Sequence, residues 1–260
     1  MTVRDALSAL SSLAPTHLAM EQDNVGLLVG DPSAKIDRIL VSLDVTMAVL
    51  EEAFAKKAQL VVSHHPMPRY PLNKITPETL DGKKVFYAIT HGISVISMHT
   101  NLDSAEGGVN DVLAAKLGLC NIGEFPNNSP GIGRIGYTEK PMALAEFVKR
   151  TALALGTDQI RFVDGGKKVH RVAIGSGNCS DLWQDALQQE CDTFVSADFK
   201  YGQLSSAVEQ GLNIVDGGHF PTENLICPTI QDTLAKALPE AEVLLSETHK
   251  DCIQFYRDVK

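Results

Sequence analysis

"RILVSLDVTMAVLEEAFAKKAQLVVSHHP", residues 38–66, decides the fold. Its opening "RILVSLD" (38–44) and the later "AQLVVS" (58–63) are rich in β-branched and aliphatic residues, as buried strands are. Between them, "TMAVLEEAFAKKA" (46–58) repeats its apolar residues at helical spacing. Thr46 stands where the helix needs an N-cap, although no Glu or Gln follows three residues later to complete a capping box. Strand, helix and strand in this order make a βαβ unit, and such units imply a largely parallel sheet. "ISVISMH" (93–99) reads as the next strand.

The same order is written a second time. "RVAIGSG" (171–177), "DLWQDALQQE" (181–190), "DTFVSAD" (192–198), "QLSSAVEQG" (203–211) and "LNIVDGG" (212–218) repeat strand, helix, strand, helix and strand. Arg38 to Ser63 and Arg171 to Ser196 span the same 25 positions. In both copies the last strand ends near a histidine followed four residues later by a carboxylate, His99 with Asp103 and His219 with Glu223. The expected fold class is therefore α/β, with two pseudo-symmetric α/β lobes. The first lobe is expected over 1–125, completed by 224–260 through the helix "NLICPTIQDTLAKAL" and the strand "AEVLLSE", and the second over 126–223. "NIGEFPNNSPGIGRIGYTEKP" (121–141), rich in Gly, Pro and Asn, reads as the crossing between lobes, and "MALAEFVKRTALALG" (142–156) as the helix opening the second.

Ligands in an open parallel sheet collect beyond the carboxyl ends of its strands. Here those ends carry His64 and His65 after "LVVS", Asp103 after "ISMHTNL", and His219 and Glu223 after "NIVDGG". Adjacent histidines on an extended strand point to opposite sides, so the expectation is two ions taking one imidazole each, with carboxylates as bridges, in the cleft between the lobes. A nitrogen and oxygen donor set suits zinc, iron(II) or manganese and lacks the thiolates of a structural zinc site. Two such ions support hydrolytic chemistry by activating water and polarising a carbonyl, imine or phosphoryl oxygen.

Other features bound the reading. A formal charge of −9 argues against duplex DNA as the primary partner. No apolar run approaches the roughly 20 residues of a membrane span, and the N-terminus lacks a basic segment followed by an apolar stretch, so a cytoplasmic protein is expected. The five cysteines are scattered and odd in number, which suits reduced thiols. His17, His91, His170 and His249 read as surface or hydrogen-bonded core residues. "GIGRIG" (131–136) fits a dinucleotide fingerprint by spacing, but "YTEKP" follows where a phosphate-binding helix should begin. "QDNVGLLVGDP" (22–32) reads either as a wall near the site or as an edge strand with a turn at Asp31 and Pro32.

With these motifs in order, "DNVGLLVGDP", "SLDVT", "VVSHHP", "HTNLD", "GRIG" and "GGHFPTE", the chain resembles the Nif-three-like family, whose members are labelled GTP cyclohydrolase I type 2 homologues or dinuclear metal-binding proteins. The resemblance spans essentially the whole chain. It implies two linked α/β lobes with a pair of divalent metal ions, assembled into a toroidal homohexamer. It further implies His64, His65, Asp103, His219 and Glu223 as metal ligands, Glu223 as the bridge, and His99 as a general acid or base beside them. The chain departs from the family at "MPRY" (67–70) after the histidine pair and at Gln22, where an aromatic residue is common.

Three functions stay open at this point. One is a metal-dependent hydrolase opening the imidazole ring of GTP or a related purine nucleotide; another is a metal-bearing regulatory or interaction protein without catalysis. The third is a two-metal phosphoesterase, for which Arg69 is a candidate phosphate contact.

Overall fold

The computed structural model describes residues 1–129 and 131–256. In chain order the first elements are α1 (Val3–Leu13), β1 (Gly26–Val29), β2 (Arg38–Ser42), α2 (Met47–Ala55), β3 (Leu60–Ser63), α3 (Leu80–Thr90), β4 (Ser94–Ser97) and α4 (Thr100–Ser104). Next come α5 (Val109–Lys116), β5 (Cys120–Glu124), β6 (Arg134–Met142), α6 (Leu144–Leu155), β7 (Arg161–Val163) and β8 (Val169–Ile174). The rest are α7 (Trp183–Gln188), β9 (Thr193–Ser196), α8 (Tyr201–Glu209), β10 (Asn213–Asp216), α9 (His219–Glu223), α10 (Cys227–Ala237) and β11 (Glu242–Leu245).

Two compact units result, Met1–Ala105 with Ile226–Lys250, and Glu106–Leu225 with residues 251–256. The first holds a five-stranded sheet in the order β1-β4-β3-β2-β11, in which only β1 runs antiparallel to its neighbour. β11 lies beside β2, and α10 packs on α1 and β2, so the C-terminal helix and strand belong to this unit. The second holds a six-stranded sheet in the order β5-β6-β8-β9-β10-β7.

The written repeat is a repeat of topology. In each unit three consecutive strands run parallel, β2-β3-β4 and β8-β9-β10, and a short antiparallel strand from just upstream, β1 or β7, covers the far edge. Even the register agrees: Ile39 faces Leu60 in one sheet and Val172 faces Thr193 in the other, the same sequence separation. The copies differ after the second strand, where Leu60 faces Ser94 but Thr193 faces Asn213. The extra chain in the first copy is the loop that begins with His64 and His65.

Strand alternation buries both faces of each sheet. In the second unit Ala173, Phe194 and Ile214 face one apolar cluster while Val172, Val195 and Val215 face the other. Leu40, Val61 and Val95 do the same for the first unit, meeting Val49, Leu50 and Ala53 of α2. Thr46 caps α2 as expected, its hydroxyl accepting from the Val49 amide at 3.1 Å.

The boundary between units differs from the sequence reading. It falls at Ala105, ahead of α5, because α5 packs on β5, β6 and β8 of the second sheet. The stretch 121–141 is not a crossing; apart from Pro130, which lies outside the described residues, it forms much of the antiparallel pair β5 and β6, with Gly123 facing Ile135. "GIGRIG" accordingly leads into a strand, and Gly133 sits where a Cβ would press on the Ile174 carbonyl, so close backbone packing accounts for it. "QDNVGLLVGDP" contains the edge strand β1, with Ser33 turning back onto Asp31 at 2.7 Å. Among the described residues no helix is long and apolar enough to cross a membrane.

Candidate metal centre

In the first unit the chain leaves β3 at Ser63 and turns at once. Ser63 Oγ donates to the His65 carbonyl at 2.8 Å, and the His65 amide donates to the Leu43 carbonyl at 2.9 Å, which ties the histidine pair back to the ends of β2 and β3. This turn overturns the expectation that the two rings diverge as on an extended strand. Their centroids are 5.1 Å apart, and His99 joins them at 5.3 Å from His64 and 5.7 Å from His65. One ring nitrogen from each of the three falls within 4.8 Å of the others, a group able to hold a metal ion.

Each of these imidazoles is oriented through Nδ1. His64 Nδ1 faces the Met98 carbonyl at 2.8 Å, His65 Nδ1 faces Asp44 Oδ1 at 2.7 Å, and His99 Nδ1 faces both oxygens of Asp23 at 2.9 Å. With Nδ1 donating, coordination falls to Nε2, the arrangement that second-sphere partners impose on metal-binding histidines. Asp103, on the short helix α4, brings Oδ1 to 3.7 Å from His64 Nε2. His99 and Asp103 thus enter the same turn of chain, His99 as the residue preceding α4 and Asp103 within it. Burial raises the pKa of Asp23, but hydrogen bonds from His99 and Thr100 outweigh it and hold the carboxyl well below the usual range. Asp44 is held low in the same way by His249 and His65.

In the second unit His219 and Glu223 do form a pair, because α9 is a single helical turn that stacks i on i+4. His219 Nε2 lies 3.0 Å from Glu223 Oε2, and its Nδ1 lies 2.7 Å from Asp198 Oδ2. Burial alone would lower the His219 pKa, yet Glu223 and Asp198 raise it to about 9. Asp198, at Nδ1, orients the ring, so that Nε2 and the Glu223 carboxylate face each other and can bind a cation together. Gly177, with φ +55°, provides the floor, since a Cβ there would overlap Glu223 Oε1.

All five expected ligands and His99 thus lie beyond strand ends, four in the first unit and two in the second. The nitrogen and oxygen donors, with oriented rings, fit a divalent first-row ion. The sequence reading did not assign the orienting groups Asp23, Asp44 and Asp198, nor His249, which it placed among ordinary histidines. Asp23 and Asp44 stood inside the motifs "DNVG" and "SLDVT". Asp198 had a further signal: it lies two residues past Ser196, as His65 lies two past Ser63, so the repeat has put an orienting carboxylate where the other copy has an imidazole.

A two-sheet α/β chain with such a cluster defines a class of candidate metal-binding proteins, and comparison with known proteins gives the family. Residues 1–252 match Duf34/NIF3 (NGG1p interacting factor 3), and the chain belongs to that family. It is 34% identical to a Clostridium perfringens protein called GTP cyclohydrolase 1 type 2 homolog, covering 98% of this chain and 100% of the relative. A Clostridium acetobutylicum protein of the same name is 32% identical, with 98% and 99% covered. Among solved structures, a Bacillus cereus protein related to NIF3 superposes with a TM-score of 0.91 at 23% identity, over 98% of this chain and 99% of that one. Reduced HcgD from Methanocaldococcus jannaschii superposes at 0.84 with 26% identity, over 95% and 98%.

Proposed function

We propose that His64, His65, Asp103, His219 and Glu223 hold two divalent metal ions, zinc, iron or manganese, with Glu223 as the bridge, and that the protein is a metal-dependent hydrolase. The observation that carries this reading is the pair of imidazoles at the end of β3, His64 and His65, each oriented through Nδ1, which leaves Nε2 to coordinate. When bound, such ions supply the Lewis acidity that makes water a nucleophile near neutral pH. The chain's own contribution to proton transfer is His99, whose Nδ1 is engaged by Asp23 and whose Nε2 is available to move a proton. The names of the relatives support a purine nucleotide such as GTP as the small-molecule substrate. The resemblance of the motifs implies a homohexamer, and a cytoplasmic location goes with this reading.

Elemental analysis of protein purified without added metal or chelator, for wild type and Glu223→Ala, tests the site. About two first-row ions per chain are expected in the wild type, and fewer in the variant. Metal-loaded protein is then assayed against GTP and against phosphoesters. Ring-opened GTP supports the cyclohydrolase-like reading, and phosphate release alone converts it to a phosphoesterase. A metal-loaded protein inert to both favours the regulatory alternative, toward which the family's description as an interacting factor already points.

A further inference from the structure

The C-terminal end of the first unit reaches the histidine cluster. After β11 the chain Ser246–His249 is clasped by Glu52 of α2, a buried carboxylate. Its Oε1 accepts from the Glu247 amide at 2.9 Å, and its Oε2 accepts from the Ser246 hydroxyl at 2.6 Å and from the Thr248 hydroxyl at 2.7 Å. The His249 amide then donates to Ser246 Oγ at 3.1 Å. This turn sets the His249 ring, whose side chain is only 8% exposed, against Asp44. His249 Nε2 stands 3.2 Å from the Asp44 amide nitrogen and 3.0 Å from Asp44 Oδ2, so it holds both the backbone and the carboxylate of Asp44, while the other oxygen of that carboxylate stands 2.7 Å from His65 Nδ1.

We propose that Asp44, steadied by His249, is a positioning residue that fixes the ring and tautomer of His65 for metal binding. The inference rests on the metal reading above and adds to it a residue about 180 positions downstream of the histidine it serves, from a segment that no ligand motif includes. A carboxylate anchored at one oxygen has lost its freedom to swing about its own side-chain bonds, so its second oxygen holds His65 in one orientation. Without His249, Asp44 can rotate toward solvent, and the His65 ring can adopt the other tautomer or flip.

Two measurements on the full-length protein test this. The first is Zn2+ affinity, by competition with a chromophoric chelator, for wild type, His249→Ala, His249→Gln and Asp44→Asn. Asp44→Asn and His249→Ala are each expected to weaken Zn2+ binding about 10-fold or more. His249→Gln, whose amide nitrogen can reach the Nε2 position, is expected to stay near wild type. The second is the nitrogen NMR signature of the His65 ring in metal-free protein, expected as the Nδ1–H tautomer in wild type and His249→Gln and as a mixture in the other two. Wild-type binding with unchanged affinity and an unchanged His65 signature in both His249→Ala and Asp44→Asn overturns the proposal. A loss of affinity that His249→Gln fails to restore overturns the role of His249. If wild type binds no Zn2+, the metal reading fails, and the His65 signature alone then decides whether the relay orients the ring.

Discussion

Gly177 leaves to the Glu223 carboxylate the space that a side chain of its own would fill: a Cβ at residue 177 would overlap Glu223 Oε1 and stand 3.2 Å from His219 Nε2. The residue also holds φ +55°, where a non-glycine residue is strained. Gly177→Ala is therefore expected to push Glu223 off His219 and to cost about 1–3 kcal/mol in stability. Metal content per chain and the denaturant midpoint, measured together, check it; an alanine variant with wild-type metal content would show that Glu223 needs no such space.

Glu52 links stability to pH. Burial raises its pKa, but the Glu247 amide, Lys56, Ser246 and Thr248 outweigh this and lower it from 4.5 to about 2. Because the folded value is the lower one, the stabilisation is fully present above pH 4.5 and is lost as pH falls toward 2. Its size is roughly 3 kcal/mol, since a tenfold change in proton affinity corresponds to about 1.4 kcal/mol. Glu52→Gln is expected to flatten the fall in stability across this window, read from urea midpoints at successive pH values, and an unchanged profile would place the dependence elsewhere.

Asp23 separates catalysis from binding. Its two oxygens hold His99 Nδ1, and neither His99 nor Asp23 is among the five proposed ligands. On the hydrolase reading, Asp23→Asn is expected to keep wild-type metal content while lowering kcat on the hydrolysed substrate by about 10²–10⁴-fold. Loss of metal in this variant would instead assign His99 to the ligand set.

Phe194 tests the second unit's core. It is wholly buried on β9, with Phe199 and Phe125 edge-on at 5.8 and 6.1 Å. Phe194→Ala is expected to destabilise by about 3–5 kcal/mol. A smaller loss in calorimetry or denaturant unfolding would mean that α7 and α8 close over the cavity.

Much of the fold is legible in the chain because its determinants are local. β-branched runs at strand spacing, the Thr46 cap and the matched 38–63 and 171–196 segments all act over neighbouring residues, and they imply parallel strands in two sheets. The end of the first unit is different. The contacts of α5 with β5, β6 and β8 outweigh the Gly and Pro content of 121–141, which marks turns equally well inside a unit and between two.

The sequence by itself determined the two-copy α/β plan and the kinds of donor atom beyond its strand ends, since both follow from residue type and short spacing. Only the tertiary structure decided how those donors are aimed. Asp44 reaches His65 across 21 positions, Asp23 reaches His99 across 76, and His249 reaches Asp44 across 205. An imidazole has two nitrogens, and which one faces a metal depends on the partner of the other. That partner is supplied by strand order and register, which bring distant carboxylates together beyond the carboxyl ends of the parallel strands, and no spacing along the chain encodes it.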